Sequence, residues 1–137
     1  MKKARKTKAN PPAAGTRRAM RERGKMPPIS EEMKHWSALL KTEVSGWPQV
    51  SMKPMFGMLG VFRRAKIFAA LPVSRAIGTP NSVSFRFNPL PPDLHERAAK
   101  EPRFLPGTHW HSFEVRSTGD LRDALWWLNQ AYERAGK

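Results

Sequence analysis

The chain has 137 residues and no cysteine. Disulfide staples, thiol nucleophiles and thiolate metal ligands are therefore excluded, and a reducing compartment is compatible with the composition. Acidic residues are scarce as well. Eleven Asp and Glu stand against 25 Lys and Arg, leaving a formal net charge of +14. Such an excess points to polyanionic partners, nucleic acid ahead of an anionic membrane surface. Long apolar runs are also missing. The longest, residues 67–73 with Pro72 inside it, falls far short of the ~20 residues that cross a bilayer. The basic N-terminus never reaches the hydrophobic segment of a signal peptide. The expectation is a soluble cytoplasmic protein with no membrane partner.

What is present is unevenly placed. Residues 1–27 hold ten basic residues, Lys2, Lys3, Arg5, Lys6, Lys8, Arg17, Arg18, Arg21, Arg23 and Lys25, against the single acid Glu22. The other 110 residues hold fifteen Lys and Arg against ten acids. The opening MKKARKTKANPPAAGTRRAMRERGK has no aromatic residue and no apolar periodicity. It cannot bury enough surface to offset the entropy of ordering, so residues 1–28 read as a disordered basic tail closed by Pro27-Pro28. Residues 29–137 leave room for one domain.

Within that domain the first helix spans residues 31–44. Ser30 is its N-cap, Glu31 and Glu32 suit its positive end, and Met33, Trp36, Leu40 and Val44 form its apolar stripe. Strands follow at residues 50–53, 57–62 and 66–71, with Arg63-Arg64-Ala65 as the last turn. A fourth, SVSFRF, sets Val83, Phe85 and Phe87 on one face and Ser84 and Arg86 on the other. A short helix over residues 92–101 comes next, then PRFLPGTH as a loop and a fifth strand at 110–116. The last helix is the clearest, with Leu121, Ala124, Leu125, Leu128, Ala131, Tyr132 and Ala135 stepping by three and four. Ser117 and Asp120 have capping-box spacing before it. The order α-β(3)-β-α-β-α predicts a two-layer α+β fold, an antiparallel sheet of about five strands with three helices. Gly57 and Gly60 are unfavourable inside strands. They mark a bulge or a close backbone approach, the alternative being approach to a ligand.

The stretch MFGMLGVF…KIFAAL resembles the hairpin of the TfoX N-terminal domain and its YjbR-like relatives, a family linked to competence regulation. Met55, Phe56, Gly57, Gly60, Phe62, Phe68 and Ala69 carry the likeness. Met58 and Arg63-Arg64-Ala65 depart from it where the family has glycines. The run WHSFEVRSTGDLRDALWWLNQAYERA is similar to small bacterial domains that bear a luciferase-like label. Both resemblances imply a small α+β domain. The first implies a regulatory or DNA-linked role, and neither brings a catalytic residue.

Chemistry-bearing constellations are sparse. His109-x-His111 on a strand would share a face, but His35 and His95 are scattered and no acid pairs with them, so the two read as surface or rim histidines and no metal is expected. Ser74 has Arg75 beside it and no base nearby in sequence. Glu96 with Glu101, or Asp120 with Asp123, are accounted for as caps and solvated charges. Trp36, Trp126 and Trp127 read as core or half-buried, with one of the adjacent pair 126 and 127 left exposed. No cofactor is implied.

A non-enzymatic accessory or regulatory domain that associates with nucleic acid is the expectation. The tail, with Arg63, Arg64 and Lys66 at the hairpin turn and Arg75 and Arg86 extending the patch, would supply the contacts. The alternative is a protein-interaction module using an exposed aromatic and the Pro-rich residues 88–92, with the tail only solubilising.

Overall fold

The computed structural model describes residues 26–136. The expectation of a disordered tail therefore falls outside the described residues, except at its end. There, Pro28 bridges Arg75, and Pro27 accepts the Ala76 N–H at 3.1 Å.

Three α-helices and six strands follow in the order α1 Glu31–Val44, β1 Val50–Met55, β2 Met58–Arg63, β3 Lys66–Pro72, β4 Ser82–Arg86, α2 His95–Ala99, β5 Phe104–Leu105, β6 Trp110–Glu114 and α3 Leu121–Ala135. The fold is α+β. All strand pairings are antiparallel, and the sheet order is β1-β2-β3-β4-β6-β5.

Six strands replace the expected five. The added strand, β5, lies inside the stretch read as a loop. With two residues it shows no alternation, and it exists because Phe104 pairs across to Phe113 on β6 and buries its ring. A 3₁₀ turn, Pro92–Leu94, also occupies the start of the expected second helix, leaving α2 only five residues.

α1 begins as its sequence dictates: the Ser30 hydroxyl accepts the Met33 N–H at 3.0 Å. Its apolar stripe is buried, and the Ser37 hydroxyl on the same face donates to the Pro72 carbonyl at 2.6 Å. The capping box expected before α3 is not made. Asp120 accepts the N–H of Arg116, at 2.8 Å, and not that of Ser117, and the Ser117 side chain caps nothing.

α1 and α3 both pack on β3, on one face of the sheet. Trp127 of α3 stacks parallel on Phe85 at 5.8 Å, and Phe104 closes on Trp127 at 4.6 Å. The inward stripe of α3 is Ala124, Trp127, Leu128, Ala131 and Tyr132, while Leu121 and Leu125 are only half-buried at its margin. Neither tryptophan of the adjacent pair is exposed, against the expectation for one of them: Trp126 is half-buried beneath the Arg97 guanidinium at 3.7 Å.

The two hairpin glycines do not form a bulge. Gly57 is in the β1–β2 turn, where it and Phe56 both have positive φ, +79° and +51°. A two-residue hairpin turn needs that geometry at both positions. Gly60 lies in regular register between Lys53 and Ala70. A Cβ there would sit 3.0 Å from Met55 Sδ and 3.3 Å from the Phe62 ring, so close approach is the reason for this glycine. The bulge falls on β3, where the register jumps from Val61↔Ala69 to Phe62↔Ile67 and the extra residue, Phe68, turns into the core.

A candidate polyanion-binding end of the sheet

From residue 44 to residue 92 the chain has no Asp or Glu, yet it holds Lys53, Arg63, Arg64, Lys66, Arg75 and Arg86. The fold gathers these forty-nine residues into β1–β4 and their turns. The larger half of the sheet, four strands of six, is therefore cationic, and the carboxylates of the described residues sit on the helices and around β5 and β6.

A groove of about 950 Å³ opens at one end of this half. Lys66 and Ile67 come from the start of β3, and Arg86 and Phe87 from the end of β4. Asn88, Pro89, Pro91 and Pro92 form one wall, and Ala131, Arg134 and Ala135 of α3 the other. The Asn88–Pro89 peptide is cis. Arg134 is held in place by Gln130 at 2.7 Å and Asp93 at 2.9 Å, so part of its charge is already neutralised. Arg86 forms no ion pair among the described residues and reaches over the Trp110 ring at 5.8 Å. The lining contains no Ser, Thr, His, Asp or Glu. Such a surface can attract and hold an anion, but it offers no nucleophile and no general base.

The three turn cations have different roles. Arg63 donates to the Tyr132 carbonyl at 3.1 Å and to Gln49 at 3.1 Å, and its guanidinium lies 4.2 Å from the Tyr132 ring centroid. That places it as a tie between the turn and the end of α3. Arg64 is exposed at φ +57°, and Lys66 is exposed on the groove margin. The basic residues from Lys2 to Lys25 lie outside the described residues.

Of the motif residues, Met55 ends β1, and Phe56 stands at the opposite end of the sheet from the groove with 79% of its surface exposed. Phe62 is half-buried on β2. The Gly57 carbonyl accepts three backbone N–H groups, from Val73 at 3.1 Å, Ser74 at 2.8 Å and Arg75 at 3.0 Å. Ser74 therefore belongs to a backbone clamp.

His111 is not a rim residue. It is 3% exposed, stacked on Phe104 at 5.6 Å and tilted against Phe87 at 5.9 Å. The alternation that places it opposite Trp110 turns it into the core, while His109 stays exposed before β6. Its Nδ1 accepts the Gly107 N–H at 3.1 Å, so the neutral ring carries its proton on Nε2, which has no partner among the described residues. Burial, and secondarily the charge of His109, lower its pKa below the usual histidine value. Among the described residues no three His, Asp or Glu side chains gather to hold a metal ion.

Of the four carboxylates read as caps and solvated charges, Glu96 is an exposed partner of Lys100, and the other three share one cation. Arg103 meets Glu101 at 2.6 Å, Asp120 at 2.7 Å and Asp123 at 2.9 Å, and lies over the Phe113 ring at 4.8 Å. Glu101 is held below the ordinary carboxylate range, chiefly by its hydrogen bond from Arg103, and the Arg103 pKa is raised in turn. This network pins the start of α3 to the α2–β5 connection. It also keeps acidic charge at the far edge of the sheet.

Sequence reasoning passed over the acid-free half, although a gap from Glu43 to Asp93 is visible by inspection. The three-carboxylate grip of Arg103 was not visible, because its partners are up to twenty residues away. Among the described residues no helix is long and apolar enough to cross a membrane. Comparison of the chain with protein-family models, curated proteins and solved structures finds no match, so the TfoX-like resemblance stands on its motif residues alone.

Proposed function

We propose that the chain is a non-enzymatic, TfoX-like accessory or regulatory domain of the cytoplasm that associates with nucleic acid. The basic N-terminal segment supplies most of the affinity, and the folded domain adds Arg64, Lys66 and the groove. The acid-free half of the sheet is the observation that carries this reading: six cations and no carboxylate in forty-nine consecutive residues. A polyphosphate approaching that half meets attraction throughout, and release of its counterions drives binding. The segment enters the fold beside Arg75, at the end of the sheet away from the groove. The two ends are about 20 Å apart, the length of a six-residue strand, so one bound strand reaches both.

A second reading is favoured by Phe56. Its exposed ring is presented by a turn that three backbone hydrogen bonds clamp, with half-exposed Val73 beside it. A rigid aromatic of this kind is an anchor for a protein partner.

One experiment separates the readings. Labelled duplex and single-stranded DNA are titrated with the intact chain and with a chain lacking residues 1–27, at several salt concentrations. If about five phosphates are engaged, log K for the intact chain falls against log[salt] with a slope of about −3.5 to −4.5. Truncation flattens that slope to about −1 to −2, leaving the turn and groove. Equal slopes for the two chains remove the tail from the mechanism. Absence of binding by either at low salt ends the nucleic-acid reading and leaves the protein-partner one.

A further inference from the structure

Strand alternation sorts the sheet residues into two faces. Val61, Ala69, Val83, Phe85 and Phe113 meet the helices. On the other face Ala70, Ser84 and Ser112 are buried, while Phe62, Ile67, Arg86 and Trp110 stay half-buried towards the groove end, Phe62 beside Ile67 on β2 and β3 and Arg86 beside Trp110 on β4 and β6. Phe62 and Trp110 are both half-buried, and neither belongs to the hydrophobic core. Each carries a cation over its ring, Lys53 Nζ at 5.4 Å from Phe62 and the Arg86 guanidinium at 5.8 Å from Trp110. Neither cation forms an ion pair among the described residues. The acid among the strand residues of this face, Glu114, lies at the far end of β6 and is held by Arg116 at 2.9 Å.

We propose that this face stacks unpaired nucleobases on Trp110 and Phe62, the bases taking the places over the rings that Arg86 and Lys53 hold in the free chain and those cations turning to the adjoining phosphates, so that the chain selects single-stranded over duplex nucleic acid. The proposal rests on the nucleic-acid reading above and adds the form of the ligand. Two aromatic residues with cations beside them suit a base and its phosphate, because every base has a π-face and stacking tolerates any sequence. Spacing excludes the duplex. Three strand steps separate the two rings, about 14 Å. Along a duplex strand that distance covers about four bases at ~3.4 Å each, all with their faces already stacked. Only an extended, unpaired strand can offer one free base to each ring. Arg86 also lines the groove, so the path of phosphates from Trp110 leads directly into it.

The test uses the full chain with a labelled oligothymidylate and a duplex of equal length, titrated at low salt. Trp110→Ala is the central variant, and melting confirms that it folds. It should weaken oligothymidylate binding by about five- to a hundredfold, the effect of losing one base–aromatic stack, and leave duplex binding within about twofold. Trp110→Phe should restore most of the loss, and Arg86→Gln should weaken both ligands. An unchanged affinity of Trp110→Ala for the oligothymidylate, or an equal loss on both ligands, overturns the stacking face while leaving the nucleic-acid reading standing. Failure of the unmodified chain to bind either ligand overturns both.

Discussion

The carbonyl oxygen of Gly57 accepts the Ser74 N–H at 2.8 Å, with the N–H groups of Val73 and Arg75 converging on the same atom. The β1–β2 turn and the segment leaving β3 are thereby locked together. A side chain at Gly57 would place its Cβ 2.7 Å from Arg75 Cγ and 2.9 Å from Ser74 Oγ, at φ +79°. Gly57→Val therefore meets two obstacles, left-handed backbone for a β-branched residue and a clash at the clamp. We expect a loss of about 2–4 kcal/mol in urea denaturation, the sum of typical strain and overpacking terms. Stability equal to the unmodified chain would show that the turn relaxes freely.

The inward stripe of α3 sets an order among its side chains. Trp127 is 1% exposed, stacked on Phe85 and tilted against Phe104, whereas Leu125 is half-buried. Trp127→Ala should cost about 3–5 kcal/mol. Leu125→Ala should cost no more than about 2 kcal/mol, since part of its surface is already in water. Chemical denaturation of the two variants measures both, and a larger loss at Leu125 would reverse the assignment of the buried face.

Removing Arg103 leaves three carboxylates facing one another without their cation. Arg103→Met keeps the alkyl packing on Phe113 and should cost about 1–3 kcal/mol near neutral pH, a range set by charged hydrogen bonds at a site four-fifths buried. The pH dependence has a definite sign. Glu101 has a folded-state pKa below its usual 4.5, so its contribution is complete above about that pH and is lost as pH falls through the lower, folded value. The deficit of the variant should therefore shrink in acid. A deficit that is the same at about pH 3 and pH 7 would mean that packing, and not the ion network, is lost.

His111 predicts a second acid-sensitive step. Its pKa is lowered in the fold, so the neutral ring is favoured, and its stabilisation is complete above the unfolded value of about 6.5. As pH drops below that point the unfolded chain takes up the proton first, and stability declines until the folded pKa is passed. His111→Phe keeps an aromatic ring between Phe87 and Phe104 and removes the unpartnered Nε2. Its stability should fall less than that of the unmodified chain between about pH 8 and pH 5. Parallel declines would show that His111 is not the group that titrates.

Much of the fold follows from local pattern. Helix α1 begins after its Ser30 cap and ends at Val44 as its cap and stripe dictate, and Val83, Phe85 and Phe87 enter the core as expected, although Ser82 and Ser84 on the other face of β4 are buried as well. β5 was not legible, because two residues carry no period and Phe104 needs Phe113 to become a strand. Gly57 and Gly60 were legible as special positions. Their assignment, one to a turn and one to a crowded strand crossing, depended on where Met55, Arg75 and Ser74 arrive in space.

Composition and spacing by themselves determined the absence of thiol chemistry, the basic balance, the α+β class and the two long helices α1 and α3, since each depends on residue type or on neighbours within one or two turns. Tertiary structure alone decided which histidine is buried, which acids Arg103 gathers, and that Phe62 and Trp110 share a face. Those are properties of register and strand order. A strand shifted by one residue turns every side chain to the opposite face, and no short-range signal reports which strand lies beside which.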